Sequence, residues 1–122
     1  MKRAFMQVYV KDSCSAAKLY TKAFGANIIS ETKSAGGGYI HAELEIRDYI
    51  IALSEAGDEK TITGNTMQLC FQFGENGKAA IDNAVEVLRD GAKILYPAGP
   101  CAYSSYMTDL IDKFGVRWCL FE

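Results

Sequence analysis

An α+β fold of two βαβββ modules is what this sequence predicts, and three observations predict it. The chain repeats itself: Met6-Gln7-Val8-Tyr9-Val10 returns as Met67-Gln68-Leu69-Cys70-Phe71 at a shift of 61, half of the 122-residue length. Gly25-Ala26-Asn27-Ile28-Ile29 returns as Gly91-Ala92-Lys93-Ile94-Leu95 at a shift of 66, and Ile50-Ile51-Ala52-Leu53 resembles Arg117-Trp118-Cys119-Leu120 at a shift of 67. Repeated units usually pack on one another over a shared surface. Secondly, each copy has a helical pattern between its first two segments. Thirdly, about eight strand patterns accompany only two helices, so the helices cover one sheet face and leave the other open. A ferredoxin-like sandwich has four strands, about half of what this chain offers.

The elements follow in order. Residues 4–10 alternate, with Met6, Val8 and Val10 opposite Phe5, Gln7 and Tyr9, and period two means strand. Asp12 or Ser13 caps a helix from Cys14 to Phe24, whose Ala16, Leu19, Tyr20, Ala23 and Phe24 form one apolar stripe, and Gly25 stops it. Asn27 to Thr32 reads as a strand, and Ser34 to Gly38 as a hairpin tip. Tyr39 to Arg47 alternates Ile40, Ala42, Leu44 and Ile46 against Tyr39, His41, Glu43 and Glu45, and Tyr49 to Ser54 follows as a fourth strand. In the second copy, strands are expected at Thr66–Phe73, Lys93–Tyr96, Tyr103–Asp109 and Val116–Phe121, with a helix from Lys78 to Asp90 buried through Ile81, Ala84, Val85 and Leu88. One domain spans 1–122, with module 1 at about 4–55, a linker at about 56–65 and module 2 at about 66–122.

Composition narrows the function classes. Hydrophobic residues make up 49% and charged ones 23%, which is ordinary for a globular domain. The 13 basic and 15 acidic residues alternate without a basic run, so no clustered positive field points to nucleic acid or a membrane surface. No signal-peptide pattern and no apolar run of membrane-spanning length is present, and Cys14, Cys70, Cys101 and Cys119 show no Cys-x-x-Cys spacing. The expectation is a cytoplasmic protein with reduced thiols.

Val8-Tyr9-Val10-Lys11-Asp12, Leu19-Tyr20-Thr21-Lys22-Ala23-Phe24-Gly25 and Asp112-Lys113-Phe114-Gly115-Val116-Arg117-Trp118 together resemble the glyoxalase/bleomycin-resistance/dioxygenase proteins, or vicinal oxygen chelate superfamily. Tyr39 through Ser54 and the closing turn are most similar to its PhnB-like branch. The resemblance implies a curved mixed sheet with helices on its outer face, a U-shaped cleft between the modules, and a homodimer. It also implies, for members that chelate a divalent metal, four ligands on the first and last strands of each module. Those positions fall on Phe5, Ala52, Thr66 and Cys119, and a register change of two residues brings in Gln7 and Gln68. Phe and Ala carry no donor atom, and a zinc-type site needs about four N, O or S ligands. No family-type metal and no other cofactor is therefore expected.

Side chains two apart on a strand share a face. The cleft face then carries Phe5, Gln7, Tyr9, Gln68, Cys70, Gln72, Arg117 and Cys119, while Met6, Val8, Val10, Met67, Leu69, Phe71, Trp118 and Leu120 face the helices. His41 with Glu43 reads either as an acid/base pair, since histidine titrates near neutral pH, or as part of a polar strand face. Tyr39, Tyr103 and Tyr106 are either pocket walls or loop packing. Arg117 either holds an anionic ligand group or closes a cross-strand ion pair. Cys119 is either a nucleophile or an inert buried thiol. Gly36-Gly37-Gly38 is no phosphate cradle, because a strand rather than a helix follows it. The first expectation is a metal-free small-molecule-binding protein. A lyase or dioxygenase, metal-dependent or using His41 and Glu43, is the second, and a bare dimerisation module the third.

Overall fold

A computed structural model describes residues 1–58, 60–64 and 66–122. Glu59 and Asn65, both within the expected linker, lie outside the described residues. The chain divides into two compact units, Met1–Thr61 and Ile62–Glu122.

The first unit runs β1 (Met6–Val10), α1 (Ser13–Phe24), β2 (Asn27–Lys33), β3 (Tyr39–Ile46) and β4 (Tyr49–Glu55). Its sheet has the order β1-β4-β3-β2, with β1 parallel to β4 and the other pairs antiparallel. The second unit runs β5 (Leu69–Gln72), α2 (Lys78–Leu88), β6 (Lys93–Gly99), β7 (Met107–Ile111) and β8 (Arg117–Phe121), and its order β5-β8-β7-β6 repeats that plan strand for strand. Two four-stranded mixed sheets, each with one helix, form the α+β architecture of the glyoxalase/bleomycin-resistance fold.

Each helix presents one apolar stripe to its sheet, so a helix covers one face of each sheet. In the first unit Ala16, Ala17, Tyr20 and Ala23 are buried, as are Val10, Ala42, Leu44, Ile51 and Leu53 on the sheet. In the second, Ile81, Ala84 and Leu88 are buried together with Leu110, Trp118 and Leu120. Gly25 ends α1 at φ 64, and its N–H bonds to the Thr21 carbonyl.

The starts of the helices reveal a further element of the repeat. Asp12 caps α1 by accepting from the Ser15 N–H, and the Glu55 carboxylate accepts from the backbone N–H groups of Asp12 and Ser13. Glu122, 67 residues after Glu55, accepts from the Lys78 N–H at the start of α2, which has no side-chain cap of its own. A carboxylate at a helix N-terminus satisfies orphan donors and opposes the helix dipole. The bonds from Ser13, followed by that from Asp12, hold the Glu55 carboxyl below its ordinary range against the effect of burial.

Several expected boundaries change. Strand β5 begins at Leu69 rather than Thr66. Met6 pairs with Ile51 and Leu69 with Trp118, so β1 matches β5 at a shift of 63 rather than 61, and the counterpart of Phe5 is Gln68 instead of Thr66. Strand β6 continues through Pro97 to Gly99, which an edge strand tolerates because one row of its N–H groups has no ladder to join. Strand β7 starts at Met107, since Ser104 Oγ accepts from the Tyr106 N–H and the Cys101 N–H bonds to the Ser104 carbonyl, closing a turn where alternation suggested a strand.

The alternation of β3 also breaks. Thr32 lies opposite His41 and Lys33 opposite Tyr39, which leaves Ile40 as an extra residue in a bulge. Tyr39 is thereby turned into the protein, 5% exposed, while Ile40 is 60% exposed.

Candidate functional site on the helix-free sheet faces

In the first unit, strand register sets Gln7, Ala52 and Glu43 in one row across β1, β4 and β3, with Tyr9 and Ser54 in another on the same face. Glu43 is the focus of this face. The Arg3 guanidinium clasps it with both arms, at 2.7 and 2.8 Å, and His41 Nε2 lies 3.0 Å from Oε1. Such a fork-to-fork pair is among the stronger polar contacts available to a carboxylate. The bonds from Arg3 and then His41 hold Glu43 down to about 2, although it is nearly buried.

This fixes the chemistry of the pair. An ionised carboxylate only accepts, so His41 Nε2 carries the hydrogen, and in the neutral ring Nδ1 is left as the acceptor. Glu43 orients the imidazole and does not itself take up protons near neutral pH. Phe5 packs its ring edge-on to His41 at 6.3 Å and lies under Arg3 at 4.6 Å. Gln7 Nε2 donates to Ser54 Oγ at 2.7 Å, and that hydroxyl donates to the Ile40 carbonyl at 2.7 Å.

In the second unit, Cys70, Cys119 and Asp109 form one row across β5, β8 and β7. Arg117 closes on Asp109 through Nη2 at 2.7 Å and Nε at 3.1 Å. Its fork is thus an intramolecular cross-strand ion pair. Tyr103 sits 3.6 Å from Cys119 Sγ through its hydroxyl and edge-on to Phe121 at 5.5 Å. The bond to Cys119, followed by burial, pushes Tyr103 up to about 12, so its hydroxyl stays protonated. Burial is also the largest influence on Cys119 and pushes its thiol up. Gln68 Oε1 lies 3.7 Å from Cys70 Sγ, while Gln68 Nε2 is buried without a hydrogen-bond partner.

Phe5, Gln7, Tyr9, His41 and Glu43 thus share one face in the first unit, and Gln68, Cys70, Tyr103, Arg117 and Cys119 gather on one face in the second. Tyr39 stands apart from them. The bulge places its backbone N–H on Ser13 Oγ and its hydroxyl on Glu31, where burial and then Glu31 push it up to about 12. Tyr106 is likewise engaged elsewhere, with its hydroxyl on Asp82 of α2.

Arg3, Ser54 and Asp109 were not found by pattern. Arg3 lies before the first strand, but its parity with Phe5 and Gln7 was a usable signal. Asp109 is three residues before the conspicuous Asp112, within a stretch whose strand boundaries were misplaced.

The corner positions, corrected for register, hold Phe5, Ala52, Gln68 and Cys119. Among the described residues no three His, Cys, Asp or Glu side chains are grouped so as to hold a metal ion. This donor set does not fit the four-ligand site that chelating proteins require.

A model of the Glyoxalase/Bleomycin resistance protein/Dioxygenase superfamily matches residues 3–120. The chain belongs to this superfamily. Among solved structures of similar fold is a PhnB protein from Bacillus cereus, 22% identical, with a TM-score of 0.83 and 98% of each chain covered. Protein PA1353 from Pseudomonas aeruginosa is 17% identical at a TM-score of 0.79, covering 99% of this chain and 97% of that one. The E126Q mutant of fosfomycin resistance protein FosX from Listeria monocytogenes, complexed with Mn(II) and 1S,2S-dihydroxypropylphosphonic acid, is 14% identical at a TM-score of 0.74, covering 99% and 92%. At these identities the likeness establishes the glyoxalase-superfamily fold alone. No curated protein matches the sequence.

Proposed function

We propose that this superfamily member binds a polar, uncharged small molecule on its helix-free sheet faces, without a family-type metal ion. One observation carries the reading: these faces are polar and aromatic, yet the corner positions Phe5, Ala52, Gln68 and Cys119 offer a single strong metal ligand. The charge of the ligand follows from the arginines. Arg3 is spent on Glu43 and Arg117 on Asp109, so neither fork is open to an anion. What each face offers is hydrogen bonding beside aromatic rings: His41 Nδ1 as acceptor near Phe5, and the half-buried Gln68 side chain on the face that carries Tyr103.

A thermal-shift screen of neutral and anionic metabolites tests this. Neutral polar compounds are expected to raise the melting temperature, and His41→Ala or Gln68→Ala should weaken the effect. Dihydroxypropylphosphonic acid with Mn(II) should give no shift. A screen in which no compound stabilises the wild type would sink the reading and favour a bare interaction module.

The 3.0 Å contact of His41 with an ionised Glu43 favours a second reading, an enzyme in which His41 is the acid/base and Glu43 its positioning residue. Conversion of a stabilising compound by wild type but not by His41→Gln would support it. We read the protein as a homodimer in the cytoplasm. The edge strands β2 and β6 are exposed along nearly their whole length, Ile28, Ile29, Ile94 and Leu95 included, and an apolar sheet edge is a natural template for a partner. All four cysteines are free, and among the described residues no helix is long and apolar enough to cross a membrane.

A further inference from the structure

Cys70 and Cys119 are direct partners in the parallel pairing of β5 with β8. Side chains of directly paired residues in a sheet point to the same face, and neighbouring strands lie about 4.7–4.9 Å apart. That spacing falls within the Cα separation of about 4.4–6.8 Å that a disulfide spans. The two thiols differ in access, Cys70 being exposed and Cys119 only 4% exposed. The surroundings also discriminate between them. Burial pushes the Cys119 thiol up, and the Tyr103 hydroxyl, 3.6 Å from its Sγ, partly opposes this by donating to the thiolate. The Arg117 guanidinium attracts both sulfurs in their charged forms, while Asp109 opposes this at Cys119. Gln68 Oε1 accepts from the Cys70 thiol and orients it.

We propose that Cys70 and Cys119 form a redox-active cross-strand dithiol that closes to an intramolecular disulfide by exchange with a low-molecular-weight disulfide. The exposed Cys70 thiolate attacks one sulfur of oxidised glutathione, whose S–S bond breaks and releases one glutathione thiolate. The Cys119 thiolate, steadied by Tyr103, then attacks Cys70 Sγ, and the second glutathione leaves. The protons of the two cysteines end on the two glutathione thiols; the protein pair is oxidised by two electrons and glutathione is reduced by two. This goes beyond the small-molecule reading and does not depend on it, because no stored ligand takes part.

The test is oxidised glutathione added to the native full chain, followed by alkylation, intact-mass measurement and peptide mapping. Both thiols should vanish with a mass loss of two hydrogens and a Cys70–Cys119 linkage, in wild type and in a Cys14→Ser/Cys101→Ser variant alike. Cys119→Ala should stop at a stable glutathione adduct on Cys70, and Cys70→Ser should leave Cys119 reduced. Tyr103→Phe should slow ring closure without slowing the first exchange. A stable glutathione adduct on Cys70 of the wild type, or a linkage through Cys101, would overturn the proposal. Neither result bears on metabolite binding in the thermal-shift screen.

Discussion

Asp112→Ala is expected to destabilise the protein by about 3–5 kcal/mol, a large share of the roughly 5–15 kcal/mol that holds a domain of this size together. Asp112 is 3% exposed and sits in the turn between β7 and β8. One carboxylate oxygen accepts from the backbone N–H groups of Phe114 and Val116, at 2.9 and 3.0 Å, and the other accepts from the buried Trp118 indole at 2.9 Å. Alanine leaves all three donors without this acceptor; the Trp118 indole is buried and the two backbone donors are half-buried, and an unmet buried donor costs about 1–3 kcal/mol. Trp118 is fully buried in the core and lies edge-on to Phe71 at 5.5 Å, so the loss reaches the packing of β8 on β5. Asp112→Asn should fall between the two, since its amide oxygen keeps the backbone bonds while its NH2 faces the indole donor. Urea unfolding followed by Trp118 fluorescence measures both, and a change below about 1 kcal/mol for alanine would refute this account of the turn.

The second large effect is a pH dependence. The ordinary value for Glu43 is 4.5, and Arg3, then His41, lower it to about 2 in the folded protein. A carboxyl depressed by folding contributes stability that is complete above its unfolded value and disappears as pH falls through the folded one. The Glu43 contribution is therefore full above pH 4.5 and lost on the way down to about 2. Glu55 and Asp82 are also depressed and titrate in the acid range, so wild type alone cannot assign the effect. Glu43→Gln isolates it. The variant should be less stable near neutrality, and its deficit should shrink steadily across that window. Denaturant curves at stepped pH decide this, and curves that stay parallel would show that Glu43 is not clasped by Arg3 and His41 in solution.

Much of the architecture was legible because its signals are periodic. The repeat gave the order of elements, and alternation set Gln7 against Val8 in the first sheet, and Cys70, Arg117 and Cys119 against Leu69, Trp118 and Leu120 in the second, as strand register has them. What escaped was aperiodic. A single extra residue in β3 turns Tyr39 inward, and nothing in Tyr39-Ile40-His41-Ala42 announces a bulge. The match of Met6 to Met67 was a sequence likeness, whereas the pairing with β4 and β8 moves the correspondence to Leu69. Tyr103 and Tyr106 imitate a strand in a stretch where a Ser104 hydroxyl closes a turn instead. The carboxylate caps Glu55 and Glu122 were visible as a fourth repeated position, at the same shift of 67 as the last strands, and could have been read.

The site was legible in its residue types more than in its pairings. His41 and Glu43 stand out in any reading of β3, but Arg3, which sets the charge of Glu43, lies 40 positions away and outside every strand. Arg117 reads from the sequence as either an anion holder or half of a cross-strand ion pair, and Asp109 of the neighbouring strand fills its fork. Partnerships of this kind decide whether a polar face attracts an anion, a metal or a neutral molecule, and only the folded chain supplies them.

On the reading proposed above, the helix-free sheet faces bind their ligand through hydrogen-bonding and aromatic groups and hold no family-type metal ion. Elemental analysis of protein purified without chelator and then incubated with Mn(II), Ni(II) or Zn(II) tests it most directly. The account predicts only traces of metal after desalting and no change in melting temperature. One tightly held ion per chain, released only by unfolding, would contradict it.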